Sequence, residues 1–173
     1  MIRLVKSVSP TKGLVILGIL FIAFNAMIPQ FLPKDQALDL KFAYSREDVT
    51  NSLSQLSSSQ ISDYKFGLLA LDMPYLVTYS LLLAGVLFRL WGNSSVVYIP
   101  FIAAFADLLE NLAVLKILNV FPAIGNSIVV LASVSTTAKW ILAGIIVLGI
   151  LAGVLKKLFY KKYALVDSGE IKI

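Results

Sequence analysis

The chain has 173 residues, of which 58% are hydrophobic and only 14% charged. A soluble domain is nearer half apolar and a quarter charged. It contains no cysteine and no histidine, which excludes disulfides, thiolate catalysis, Cys/His metal sites, His-based triads and His-ligated haem. The net charge of +5 comes from basic residues gathered at the two termini, which is a pattern of membrane topology and not of nucleic-acid binding.

Residues 1–12, MIRLVKSVSPTK, form a short basic start, expected in the cytoplasm. The run 13–29 is long enough to cross a bilayer with help from its flanks. Phe24-Asn25-Ala26 is a poor small-x-small cleavage site, and Pro29 and Pro33 end the run, so it reads as a retained first span and not a signal peptide. Residues 30–65 form the one sizeable polar loop. Within it Ser45-Arg46-Glu47-Asp48 fits a capping box, and Val49, Leu53 and Leu56 follow at helical spacing. This predicts an amphipathic helix over 46–58, lying on the membrane surface or capping the bundle; a ligand lid is the sharper alternative. Ser57-Ser58-Ser59 marks a break before the next helix.

Further spans are expected at 66–90, 96–118 and 128–155, joined by Gly92-Asn93-Ser94-Ser95 and by the loop NVFPAIGNS. A cytoplasmic tail, 156–173, ends in the polar VDSGEIKI. The 30–65 loop balances Lys34, Lys41, Arg46 and Lys65 with Asp35, Asp39, Glu47, Asp48 and Asp63. Lysines and arginines otherwise crowd the N-terminus, the 89–95 turn and the C-terminal flank. The positive-inside rule then places both termini in the cytoplasm and the loop outside. The expected fold class is an all-α integral membrane protein: a single domain, an antiparallel four-transmembrane-helix bundle with a short extracytoplasmic amphipathic helix.

Depth follows from a rise of about 1.5 Å per residue. Counted from the cytoplasmic markers, Asp72, Glu110, Lys139 and Asn25 lie roughly 20–25 Å up, on four different spans. Asn111 is at the same level, Asp107 is lower, Tyr75 is near the layer and Tyr79 just beneath it. Asp107, Glu110, Asn111 and Val114 share one helix face, as do Asp72, Tyr75 and Tyr79, while Ser135, Lys139 and Ala143 share a stripe. A carboxylate facing lipid costs several kcal/mol, so these faces should point inward around one cavity. Three acids against one lysine leave excess negative charge, to be relieved by protonation, a bound cation or a cationic ligand. Two blander placements compete: Lys139 snorkels beside an interfacial Trp140, or Asp72 caps a span that begins near Pro74. An acid–amide–lysine network that only holds helices together competes with a functional site.

The ordered elements Tyr44-Ser45-x-Glu47, Tyr64, Asp72-x6-Tyr79, Pro100, Asp107-x-x-Glu110-Asn111 and Thr137-x-Lys139-Trp140 resemble those of a group of uncharacterised small four-span membrane proteins. The resemblance covers about 44–140. It implies that the acids and the lysine belong to one site, and it carries no activity. The sterol-isomerase and sigma-2-like four-span proteins are similar in architecture only, since the histidine expected of the isomerases is missing.

The function expected first is binding or moving a small amphiphile or lipid, in a site made of Asp72, Tyr75, Tyr79, Asp107, Glu110, Asn111, Lys139 and Asn25. The alternative is a structural subunit or assembly factor of a larger membrane complex. An intramembrane lipid-modifying enzyme, with Glu110 or Asp107 as general acid or base, ranks last because no nucleophile motif supports it. The expected partners are membrane lipids and a homo-oligomer or larger membrane complex. Neither a metal nor a cofactor nor nucleic acid is expected.

Overall fold

A computed structural model describes residues 1–33 and 36–167; Lys34, Asp35 and residues 168–173, counted above in the loop charge and the polar tail, lie outside the described residues. The described chain is all-helical, with no strand. Its helices are α1 (Ile2–Val8), α2 (Thr11–Met27), α3 (Arg46–Leu53), α4 (Ser58–Phe66), α5 (Met73–Trp91), α6 (Ile99–Val120) and α7 (Asn126–Asp167). Three helical stretches are long and apolar enough to cross a membrane: Thr11–Gln30, Ser58–Trp91 and Asn126–Phe159. The 22-residue α6 is long enough too, at about 33 Å, but every 18-residue stretch of it contains Asp107, Glu110 and Lys116.

Several expected boundaries are corrected. The amphipathic helix ends at Leu53 and not at residue 58. A new helix starts at Ser58, because Ser57 and Gln60 form a second capping box: the Ser57 hydroxyl accepts from Gln60 N–H, and the Gln60 side chain accepts from Ser57 N–H. The expected start of the second span at residue 66 is a continuation, since α4 runs into α5 through a π-turn over Gly67–Asp72. There Met73 N–H bonds Leu68 O, five residues back. The cause is Pro74, which has no N–H and crowds the carbonyl four residues before it, so the preceding turn widens instead of breaking. The expected tail from residue 156 is helical as far as Asp167, making α7 42 residues long. The basic start is also ordered. α1 packs against the C-terminal end of α5 with Val5 fully buried, and Arg89 donates to Ser9 O at 2.7 Å and to Thr11 Oγ1 at 2.7 Å.

α5, α6 and α7 pack on one another, and α2 lies against α5. Two apolar clusters result. One joins Val5, Ala84, Leu87, Val97, Ala103 and Ile146. In the other, Val49 and Leu53 of α3 and Tyr64 of α4 pack with Val114, Ile117 and Ala132 of α6 and α7. A belt of polar side chains lies between the clusters. Close helix approach is set by Gly85, where an added Cβ would meet Leu14 Cδ2 at 2.7 Å, and by Gly153, where it would meet Leu90 Cβ at 2.8 Å.

Candidate functional site

The polar belt is built across four helices, α2, α5, α6 and α7. Asp107 and Glu110 stand one turn apart on α6, so both reach Lys139 on α7: Nζ lies 3.1 Å from Asp107 Oδ1 and 2.5 Å from Glu110 Oε2. Each carboxylate has a second partner. Tyr79 OH donates to Asp107 Oδ2 at 3.0 Å, and Thr136 Oγ1 donates to Glu110 Oε1 at 2.6 Å. Asn111 Nδ2 donates to Asp72 Oδ2 at 2.5 Å, joining α6 to the π-turn before α5. Asn25 Nδ2 of α2 donates to Tyr75 OH at 2.9 Å. Asp72 and Asn111, counted to one level, are bonded to each other, as are Tyr79 and Asp107, both counted lower.

Two blander placements are corrected by this geometry. Lys139 does not snorkel; its side chain is 16% exposed and turned onto two carboxylates. Asp72 makes no capping bond and sits in helical conformation within a continuous helix. An ammonium shared between two buried carboxylates compensates much of their desolvation, and removing it would leave uncompensated charge.

Beside the belt is a cavity of about 490 Å³, within the range of small-molecule sites. Asn25, Asp72, Tyr75, Tyr79, Asp107 and Lys139 line it. Glu110 and Asn111, also expected at the site, do not; both are fully buried behind it. Its remaining walls are largely apolar, from Phe21 of α2 and Ile28 just after it, Leu83 of α5 and Ala143, Ile146 and Val147 of α7. Trp140 and Val147, 42% and 55% exposed, stand at its rim, where α2 leans on α5 and leaves α7 uncovered.

Three contributors were not expected. Asp39 enters from the loop between α2 and α3, lines the cavity and accepts from Tyr64 OH at 2.8 Å. No periodicity marks it, because it lies in a three-residue 3₁₀ turn, Leu38–Leu40. Thr136 was readable: Ala132, Thr136, Lys139, Ala143 and Ile146 follow at helical spacing, and that stripe, more than the Ser135 one, faces the belt. Tyr44 seats the loop before α3 on α7, its N–H bonding Ser133 Oγ at 2.9 Å and its OH lying 3.4 Å from Thr136 Oγ1. Burial pushes the Tyr44 phenol up, so it stays a neutral hydrogen-bonding group.

Comparison with protein-family models, with curated proteins and with solved structures found no match for this chain.

Proposed function

We propose that the chain is a four-span membrane protein that binds or moves a small amphiphile or lipid in the cavity beside the α6 acids. In this reading α2, the Ser58–Trp91 helix, α6 and α7 are the spans. The termini lie in the cytoplasm, and α3 with its loop lies outside. α6 crosses despite its charges because α5 and α7 cover its polar face. The observation that carries the proposal is the cavity itself: apolar walls, polar groups at one end, and a rim on the α2/α7 side that would face lipid. An amphiphile fits such a site, tail along Leu83, Ile146 and Val147 and head at the belt. A membrane-embedded rim admits it without a passage through water.

Native mass spectrometry of the protein purified in a neutral maltoside tests the reading. Retained lipid is expected on the natural chain and lost from Ala143→Phe, which fills the cavity from α7. Equal lipid on both would remove the cavity from the account.

The second reading, a subunit or assembly factor, draws on Leu40 and Phe42, which project from the outer loop 58% and 60% exposed. A blue-native gel separates the two: migration with a large complex supports the subunit, and a small oligomer carrying lipid supports the binding protein. An enzymatic reading ranks below both. It would rest on Asp107, since Glu110 does not reach the cavity.

A further inference from the structure

We infer that the headgroup recognised in this cavity is cationic, an ammonium carried on an apolar tail, and that Asp72 with Asp39 receives it. The inference rests on the amphiphile-binding reading and specifies its chemistry. Lys139 is already committed to Asp107 and Glu110. Asp39 and Asp72 line the same cavity, each only 9% exposed, and each is held by a neutral donor, the Tyr64 hydroxyl and the Asn111 amide. No lysine or arginine among the described residues lies within 4 Å of either. Two carboxylates therefore face the cavity with no described lysine or arginine paired to either, since Lys139 in the same wall is held by Asp107 and Glu110.

A second observation points the same way. The Tyr64 hydroxyl meets only Asp39 Oδ1 and the Asn111 amide only Asp72 Oδ2, so the other oxygen of each carboxylate accepts no hydrogen bond from the described residues. A buried acceptor surplus is costly, and a ligand bringing N–H donors and positive charge removes the cost. An anionic head would have to displace a carboxylate from Lys139 while adding charge of the wrong sign. Tyr75, edge-on to Tyr79 with ring centroids 5.2 Å apart, adds aromatic surface at the head end, which favours a cation further.

The test uses three probes of equal chain length: dodecylamine, dodecanol and dodecanoate. Each is titrated at neutral pH into full-length protein in neutral maltoside micelles. Emission of the rim residue Trp140 is followed in a Trp91→Phe background. Dodecylamine is expected to bind at least ten-fold tighter than dodecanol, and Asp72→Asn is expected to bring the two level. Unchanged dodecanol binding to Asp72→Asn shows that this variant is folded. Amine and alcohol binding alike in the natural chain would overturn the inference. So would tightest binding of dodecanoate, abolished by Lys139→Met; either result would leave the cavity reading standing. If no probe alters Trp140 emission, or if Ala143→Phe leaves every titration unchanged, the amphiphile site itself fails and this inference with it.

Discussion

Lys139 is the side chain on which the others depend. It alone is cationic in the belt, and it touches both α6 carboxylates. Lys139→Met would leave Asp107 and Glu110 buried without a counter-charge. A loss of about 3–5 kcal/mol of unfolding free energy is expected. Adding Glu110→Gln and Asp107→Asn to the same chain should restore most of it, because no unpaired charge then remains. Unfolding by sodium dodecyl sulfate in mixed micelles measures both. Tyr79→Phe removes one hydrogen bond to Asp107 and should cost only about 1 kcal/mol in the same assay. At this scale the sequence was informative for a physical reason. Asp72, Glu110, Asn111 and Lys139 are polar groups within apolar runs, and lipid tolerates them only if they turn toward each other, so counting depth and angle placed them together. Asp39 escaped because a polar residue in a polar loop carries no such signal; only the tertiary fold brings it to the cavity.

At the scale of elements, the capping boxes and the π-turn decide where helices begin and how they face. The Ser45–Asp48 box was legible as a spacing of residue types; the equivalent Ser57–Gln60 box lay within a serine run that reads equally well as a break. Ser45→Ala should destabilise α3 by about 1 kcal/mol. Asp48 is held below its ordinary carboxylate range by the Ser45 backbone N–H first and the Ser45 hydroxyl second. A carboxylate lowered on folding stabilises α3 above its unfolded-chain value, and the contribution is lost as pH falls through the lower folded value. Hydrogen exchange should therefore show the Val49–Leu53 amides losing protection below about pH 4. Asp48→Asn should remove that dependence. The π-turn was not legible, because Asp72 followed by Pro74 reads equally well as the cap and first turn of a new helix. It holds one residue more than an α-turn would need. Deleting Leu69, which is 57% exposed there, should let the turn relax to α-helix. The folded bundle should survive that deletion, whereas removing Leu82 from regular α5 should abolish it; comparing thermal melts of the two variants by circular dichroism checks this.

For the whole molecule, the proposed topology is testable directly, because the chain has no native cysteine. Ser54→Cys, after α3, should react with a membrane-impermeant maleimide in intact cells. Ser95→Cys, in the turn before α6, should react only after lysis. The reverse pattern would invert the orientation. Hydropathy made the general class readable, yet it leaves α6 ambiguous. Its acids fail any test of apolarity, and only the covering helices explain how it could sit in a bilayer. The arrangement of α2 has its own consequence. At its inner end Leu14 is wedged against Gly85, and Arg89 grips Ser9 and Thr11. At its outer end, beside the cavity, it is tied to α5 by one side-chain hydrogen bond, Asn25 to Tyr75, and none of its residues is buried. Beside the cavity the helix is thus held by that bond and by the Phe21 and Phe24 rings on Tyr75. In the proposed reading a ligand enters beside it from within the lipid, so its occupancy would follow its mole fraction in the bilayer and not its molarity in water.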